Sequence, residues 1–124
     1  MNLGKRFWAI PEGYLPAPGP NADDRALRSH ESVCILNTGD QAADVQLTIY
    51  FADREPVGPY RVKVEARRTL HLRFDDLKEP EPIPRETEFA SVIEASSAVV
   101  VQHTRLDARK SPFALLSTMA YGTD

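Results

Sequence analysis

The chain has 124 residues, a formal net charge of −3 and a single cysteine, Cys34. This length fits one domain over residues 1–124, and one cysteine excludes an internal disulfide. The composition, 42% hydrophobic and 27% charged, is too apolar for a disordered chain. No run approaches the ~20 apolar residues of a membrane span, and no signal-peptide core follows the N-terminus, so we expect a cytoplasmic protein.

The first apolar run, Phe7–Ile10, predicts a brief strand that ends at Pro11, because proline cannot donate to a strand ladder. Residues Pro11–Pro20 contain four prolines and two glycines, and polar residues extend this stretch to Arg25. Such a composition predicts a loop that is long for a compact domain. It is either a binding loop, in which Tyr14 is available, or a plain surface excursion.

The next strand, Glu31–Leu36, is apolar on both faces. Val33 and Ile35 share one face, and Cys34 shares the other with Leu36. We expect Cys34 to act as a small buried hydrophobic residue. In a two-layer sandwich only one face meets the opposite sheet, so the second apolar face needs a covering loop or another subunit.

Three runs with two-residue alternation follow, and they predict half-buried strands. They are Val45–Phe51, Tyr60–Val64 and Leu70–Phe74, with the turn Asp53–Pro59 between the first two. Prolines and a glycine in this turn favour a chain reversal. The three runs therefore predict an antiparallel meander with one core face.

The second half begins with a proline-spaced acidic loop, Asp75–Glu88. Two strands, Phe89–Glu94 and Ala98–Thr104, then follow with only Ala95–Ser97 between them, a spacing that predicts a tight hairpin. Leu115–Tyr121 supplies the final strand. About eight short strands without a long helix predict an all-β fold, an antiparallel β-sandwich with long proline-rich loops.

Motifs for catalysis are absent from the sequence. It has no glycine-rich phosphate loop, no zinc-binding HExxH helix, no Gly-x-Ser-x-Gly elbow and no paired cysteines, so we predict a non-enzymatic protein without a cofactor. Three histidines, His30, His71 and His103, lie in or beside predicted strands and are able in principle to hold a metal. Histidines in strands are more often hydrogen-bonded surface or interface residues, so no metal is predicted.

Charge is distributed in two opposing blocks. Residues 61–73 carry five basic residues against one acidic residue, and residues 75–94 carry seven acidic residues against two basic ones. A basic strand pair can bind nucleic acid, which makes a nucleic-acid-binding regulatory protein the alternative function. The net charge of −3 removes the long-range attraction on which such binding depends, so a solvated strand face is favoured.

Polar side chains collect at the ends of three predicted strands, in Ser29–Glu31, Arg67–His71 and Gln102–Asp107. Arginine, histidine, glutamine and carboxylate groups beside Trp8 and Tyr14 are suited to grip a hydroxyl-rich or anionic small molecule. The alternative is that these groups cap strand ends or pair across subunits.

Several separated blocks also resemble a known family: Phe7–Tyr14, Ser29–Glu31, Val33–Asn37, Asp53–Arg61, Phe89–Ile93 and Val101–Asp107. From about residue 7 to residue 121 the sequence resembles the sensory rhodopsin transducer family. The resemblance implies a small soluble β-sandwich that assembles as a homotetramer. It further implies a cytoplasmic partner of a microbial sensory rhodopsin, a binder of small polar molecules such as carbohydrates, or both. The positions that match the family pattern, and thus the predicted ligand-binding residues, are Trp8, His30, Glu31, Arg67, Arg68, His71, Gln102, His103 and Arg105.

Overall fold

Eight antiparallel strands and one short 3-10 turn make up the computed structural model, which describes residues 1–124. The predicted all-β antiparallel fold is confirmed. None of its helical segments has the length and apolarity needed to cross a membrane. The strands are β1 (Lys5–Tyr14), β2 (His30–Asn37), β3 (Ala43–Phe51), β4 (Val57–Val64), β5 (Arg68–Arg73), β6 (Glu88–Asp107), β7 (Ala114–Met119) and β8 (Tyr121–Thr123), and the turn is Phe74–Asp76.

The strands form two sheets that share one strand. The first sheet has the order β4-β3-β6-β1-β8, and the second has the order β5-β2-β6-β7. A core of 18 buried apolar residues includes members from both sheets. The two proline-rich loops each add one side chain to it, Leu15 and Ile83. These loops are therefore anchored by burial of apolar surface.

The shared strand β6 corrects the predicted hairpin at Ala95–Ser97. The chain does not turn there but continues as one strand of 20 residues. Its first half pairs with β1 and β3, and its second half pairs with β2 and β7. The prediction was wrong because small residues at this point allow a strand to pass from one sheet to the other. Residues Ala95–Ser97 include no glycine, asparagine or aspartate, which are the residues that a two-residue hairpin turn favours.

The predicted meander is correct for β3 and β4 but wrong for β5. Leu47 lies opposite Tyr60 in the first sheet, whereas Leu72 of β5 lies opposite Val33 of β2 in the second sheet. The buried Asn37 stabilises this crossing, because its side-chain amide donates to the carbonyls of residues 64 (3.1 Å) and 65 (3.3 Å), where β4 ends. Alternation alone cannot distinguish the two pairings, since it specifies a face and not a partner.

Strand β1 continues past Pro11, where the sequence predicted its end. The pairing with β6 is irregular between Ile10 and Gly13, and a bulge of this kind accommodates a proline within a sheet. Gly13 then packs against Phe89 so closely that a Cβ would lie 2.6 Å from the ring. The regular pairing that resumes places Tyr14 opposite Glu88.

The outward face of β2 remains uncovered in this chain. Val33 and Ile35 are fully buried, but Leu36 is 40% exposed and Cys34 is half-buried. Cys34 is thus not the fully buried residue that we predicted, although burial is sufficient to raise the pKa of its thiol. The proline-rich loop places Leu15 in the core and does not cover this face.

The predicted final strand, Leu115–Tyr121, is divided between the sheets. Residues up to Met119 form β7 beside β6, and residues from Tyr121 form β8 beside β1. Between them the backbone N–H of Ala120 donates to the carbonyl of Val101 at 3.3 Å. The break follows from the crossing of the chain between the sheets, which a continuous apolar pattern does not reveal.

Candidate functional site

The nine residues predicted to bind a ligand separate in the structure, and Trp8 stands apart from the rest. Its side chain lies in the core, and indole Nε1 donates to the carbonyls of Lys5 (3.0 Å) and Val99 (3.1 Å). A Cβ on Gly122 would lie 2.8 Å from the indole ring. The ring is therefore engaged in packing the core.

Arg67 and Arg68 lie at one end of the second sheet. Arg67 adopts a φ of 52° and forms an exposed ion pair with Asp40 at 2.7 Å. Arg68 lies opposite Asn37 on β2. Glu31 lies near the other end of that strand, roughly 20 Å away for an extended chain. These two arginines therefore cannot join Glu31 in one pocket.

His71, Gln102 and His30 are likewise absent from the hydrogen-bond partners of Glu31. His71 and Gln102 both lie opposite Cys34, on the outward face of the second sheet. Gln102 donates from its side chain to a serine hydroxyl of β7. His30 makes a local contact instead, since its ring Nδ1 lies 2.8 Å from the backbone carbonyl oxygen of Arg28, two residues earlier.

Three of the predicted residues do come together, and Glu31 is at their centre. Its carboxylate is fully buried and accepts three hydrogen bonds. His103 Nε2 lies 2.8 Å from Oε1, Arg105 Nε lies 2.8 Å from Oε2, and the backbone N–H of Tyr14 donates to Oε2 at 3.0 Å. The arrangement follows from the register, because Glu31 and Arg105 are directly opposite each other on β2 and β6. We call Glu31, His103 and Arg105 the Glu31 cluster.

Arg105 links the Glu31 cluster to the surface. Its NH2 group donates to Oε2 of the exposed Glu12 at 2.5 Å, while its Nε remains on Glu31. Burial opposes the charge of this guanidinium, but the hydrogen bonds to Glu31 and Glu12 outweigh burial and raise its pKa. Two carboxylates on one arginine thus fix the position of Glu12 at the end of the sandwich.

The histidines do not converge on a common point. His103 is buried on the inward face beside Val33, whereas His71 is exposed opposite Cys34 on the outward face. No group of three or more histidine, cysteine or acidic side chains has a geometry suited to a metal ion. The described residues thus provide no preformed metal centre.

Beside Glu12 lies an open cleft of about 570 Å³, which we call the acidic cleft. Four of its lining residues carry carboxylates, and no lysine or arginine lines it. Tyr14 supplies an aromatic ring, over which Arg109 lies at 5.9 Å. Such a surface attracts cations and offers acceptors to hydroxyl groups. The lining residues are Glu12, Tyr14, Ala52, Asp53, Glu86, Thr87 and Glu88.

Three neighbouring strand ends build the acidic cleft. Tyr14 at the end of β1 lies opposite Glu88 at the start of β6, and Phe51 at the end of β3 lies opposite Phe89. Glu86 precedes β6 with a φ of 57°, a conformation that residues other than glycine seldom adopt. Its backbone N–H donates to the carbonyl of residue 15 at 2.7 Å, which ties the two proline-rich loops together.

Sequence reasoning singled out Tyr14 and the acidic block that holds Glu86 and Glu88, but it did not join them in one site with Glu12 and Asp53. Glu12, Asp53 and Glu86 are distant from one another in the chain, and only the strand pairing brings them together. The acidic block of residues 75–94 was the available signal, because it contains both Glu86 and Glu88. The sequence pattern does not contain the strand register, and it is this register that places residues 75–94 beside Tyr14.

Comparison with known proteins relates the whole chain to one family. A family model described as "Anabaena sensory rhodopsin transducer" matches residues 3–122. The solved structure of the Anabaena sensory rhodopsin transducer is 54% identical, with a TM-score of 0.74, over 83% of this chain and 99% of the other. A crystal structure of a Thermotoga maritima protein is 37% identical, with a TM-score of 0.85, over 97% of this chain and 96% of the other. No protein of curated function matches the sequence.

Proposed function

The chain belongs to the sensory rhodopsin transducer family, and on this premise we propose that it is a non-enzymatic signalling module that acts as the cytoplasmic partner of a microbial sensory rhodopsin. The acidic cleft is the observation that carries this proposal. Cytoplasmic loops of membrane proteins carry an excess of lysine and arginine. Of the four carboxylates in the acidic cleft only that of Glu12 is paired with an arginine, so the surface is complementary to such loops.

The experiment is a titration of the protein into membranes that contain a sensory rhodopsin, at low and high ionic strength. Binding should weaken as salt is added, because exposed charges are screened within about 10 Å at 0.1 M salt. The double variant Asp53→Asn/Glu88→Gln should bind more weakly and lose most of the salt dependence. Both side chains are exposed, so the fold should be retained.

The matched control is Asp44→Asn/Glu65→Gln, which removes the same charge from exposed positions at the other end of the first sheet. It should bind like the unmodified protein. Equal loss in both double variants would mean that net charge and not the acidic cleft drives binding. An affinity indifferent to salt would leave no role for the acidic cleft.

A small polar ligand such as a carbohydrate is the second candidate for the same site. Tyr14 favours it, because an aromatic ring beside carboxylates can stack on a sugar while the oxygens accept from its hydroxyls. A panel of sugars and organic acids in a thermal-shift assay tests this. A ligand at one hundred times its dissociation constant should stabilise the fold by about 2.7 kcal/mol. A shift with duplex DNA alone would favour the nucleic-acid alternative.

The proposed assembly is a homotetramer, and β7 supports it. Strand β7 pairs only with β6, so its other edge is free, and all its residues are exposed. Leu115 is 72% and Met119 is 58% exposed, and Leu36 and Tyr121 add further apolar surface. Free strand edges and apolar surface of this kind are suited to pairing between copies, and closed symmetry repeats each contact.

Light scattering at micromolar concentration tests the assembly. A mass near that of one 13.9 kDa chain would contradict it. Leu115→Asp should dissociate the oligomer, because it places a charge in a buried contact. Leu27→Asp is the matched control at another exposed leucine, outside the strands, and should leave the mass unchanged.

A further inference from the structure

A second polar cluster surrounds Asp75, whose side chain is 8% exposed. Three arginines face its carboxylate, and we call these four residues the Asp75 cluster. Arg73 holds it with two hydrogen bonds, Nε to Oδ1 at 3.1 Å and NH2 to Oδ2 at 2.9 Å. Arg85 NH2 lies 3.5 Å and Arg28 NH2 lies 3.8 Å from Oδ2. One negative charge therefore stands against three positive charges.

Arg73 neutralises Asp75, and the other two arginines have no carboxylate of their own. Arg85 donates to the backbone carbonyls of Pro16 (2.7 Å) and Ser29 (3.0 Å), which satisfy its hydrogens but carry no charge. Burial lowers the pKa of Arg85, and the positive charges of Arg28 and Arg73 act in the same direction while Asp75 opposes them. The positive charge of Arg85 is thus only partly balanced by the negative charge of Asp75.

Arg28 is the less satisfied of the two. Its NH1 group makes a long hydrogen bond of 3.4 Å to the carbonyl of Ala22, and NH2 is too far from Asp75 for a hydrogen bond. Its Nε atom is buried and has no acceptor at all. A buried donor without a partner is costly and uncommon in a native protein, so Arg28 is incompletely satisfied within the chain.

The two arginines open onto a cavity of about 360 Å³. Lys78 also lines it, and its Nζ donates to the backbone carbonyl of Asp75 at 3.1 Å without meeting a carboxylate. Two nearby acidic groups are engaged elsewhere, since Asp76 pairs with Arg25 and Glu81 pairs with Arg54. The other lining residues are Pro18, Ala22, Pro82 and Ile83.

We propose that this cavity binds a dianionic oxyanion, namely inorganic phosphate or the phosphate group of a monoester. Arg28, Lys78 and Arg85 exceed Asp75 by two positive charges among the lining residues, which matches a dianion better than a carboxylate. Guanidinium groups recognise phosphate oxygens in a planar, two-pronged geometry. The NH1 and NH2 groups of Arg28, held only by a long hydrogen bond of 3.4 Å and a 3.8 Å approach to Asp75, supply such donors. The cavity shares no lining residue with the acidic cleft, so the proposal is independent of the proposed function.

The test is isothermal titration calorimetry with inorganic phosphate, with glycerol phosphate and with acetate, at constant ionic strength. Phosphate or its monoester should bind, and acetate should bind far more weakly. A monoester that binds more tightly than inorganic phosphate would identify an organic phosphate as the ligand, and the reverse order would identify the free ion.

Arg28→Gln should weaken phosphate binding about tenfold or more, because it removes charge-assisted hydrogen bonds. Lys78→Gln, at an exposed position, keeps the test valid if the first variant fails to fold, and it should also weaken binding. The control is Arg61→Gln, which removes an exposed arginine on β4 and should leave the affinity unchanged. No phosphate binding by the unmodified protein, or equal affinity in all three variants, would overturn the proposal.

Discussion

The Glu31 cluster and the Asp75 cluster each surround a buried carboxylate with arginine, yet they differ in how completely their groups are satisfied. Glu31 accepts three hydrogen bonds, and Arg105 meets two carboxylates. Around Asp75 three arginines meet one carboxylate, and Arg28 Nε has no acceptor. The first cluster is complete within the chain. The second leaves positive charge and a hydrogen-bond donor unmatched within the chain.

The difference indicates which cluster serves the fold and which is open to a ligand. Arginine, histidine and glutamate beside one another first suggest a binding site. In the Glu31 cluster, however, these side chains form their hydrogen bonds with one another. Their role is to position Glu12 and the end of β1. A site open to a ligand is better identified by unsatisfied donors and unbalanced charge than by polar residue types.

Glu31→Gln should produce the largest effect on stability. It removes the buried negative charge that faces Arg105, and breaking a buried ion pair costs about 3–5 kcal/mol. Urea denaturation measures the change. The control is Asp40→Asn, which breaks an exposed pair with Arg67 and should cost less than about 1 kcal/mol. Equal effects of the two substitutions would show that the Glu31 cluster does not hold the fold.

Asp75→Asn should have an intermediate effect and a different response to phosphate. It leaves three arginines without a carboxylate, and loss of hydrogen bonds to a charged group costs about 1.5–3 kcal/mol. Added phosphate should restore part of the lost stability, because it returns negative charge to the same place. Phosphate should not rescue Glu31→Gln, where no cavity admits it. Rescue of both variants, or of neither, in thermal unfolding would remove the distinction between the clusters.

The smallest effect is expected at the partly exposed pair of Asp107 and Arg109. The hydrogen bond from Arg109 outweighs the cost of burial and lowers the pKa of Asp107 below the ordinary value of an aspartate. The unfolded chain therefore takes up this proton at a higher pH than the folded chain does. The pair stabilises the fold above about pH 4 and loses this contribution as the pH falls further.

Asp107→Asn should accordingly lower the melting temperature slightly at pH 7, and by a smaller amount at pH 3. Thermal unfolding at both pH values measures this. If the melting temperatures of Asp107→Asn and of the unmodified protein differed more at low pH than at pH 7, the lowered pKa of Asp107 would be contradicted.

Most of the fold was predictable from alternation, and the failures share a cause. The apolar positions of β3 and β4 were identified correctly because burial on one face imposes a two-residue period. The hairpin at Ala95–Ser97 was wrong because the same pattern describes two short strands or one strand that bends between sheets. Partner choice depends on contacts such as those of Asn37, which lie outside any local window.

The candidate site was less predictable than the fold. Glu31, His103 and Arg105 were found together because they lie on strands whose residue types stood out. The acidic cleft depends on the pairing of Tyr14 with Glu88, and the Asp75 cluster depends on loops that fold back on the second sheet. Neither arrangement follows a period in the sequence, so neither has a signal that pattern reading can detect.

The bend in β6 has a consequence for how the molecule opens. Each half of this strand is paired on both edges, the first half by β1 and β3 and the second by β2 and β7. Neither sheet can release its share of β6 without exposing backbone groups that the other sheet helps to keep in place. Amide protons on both halves of β6 should therefore exchange with solvent through one common opening, at the slow rate of global unfolding. The outer strands β4, β5 and β8, each paired along one edge only, should exchange earlier through local opening.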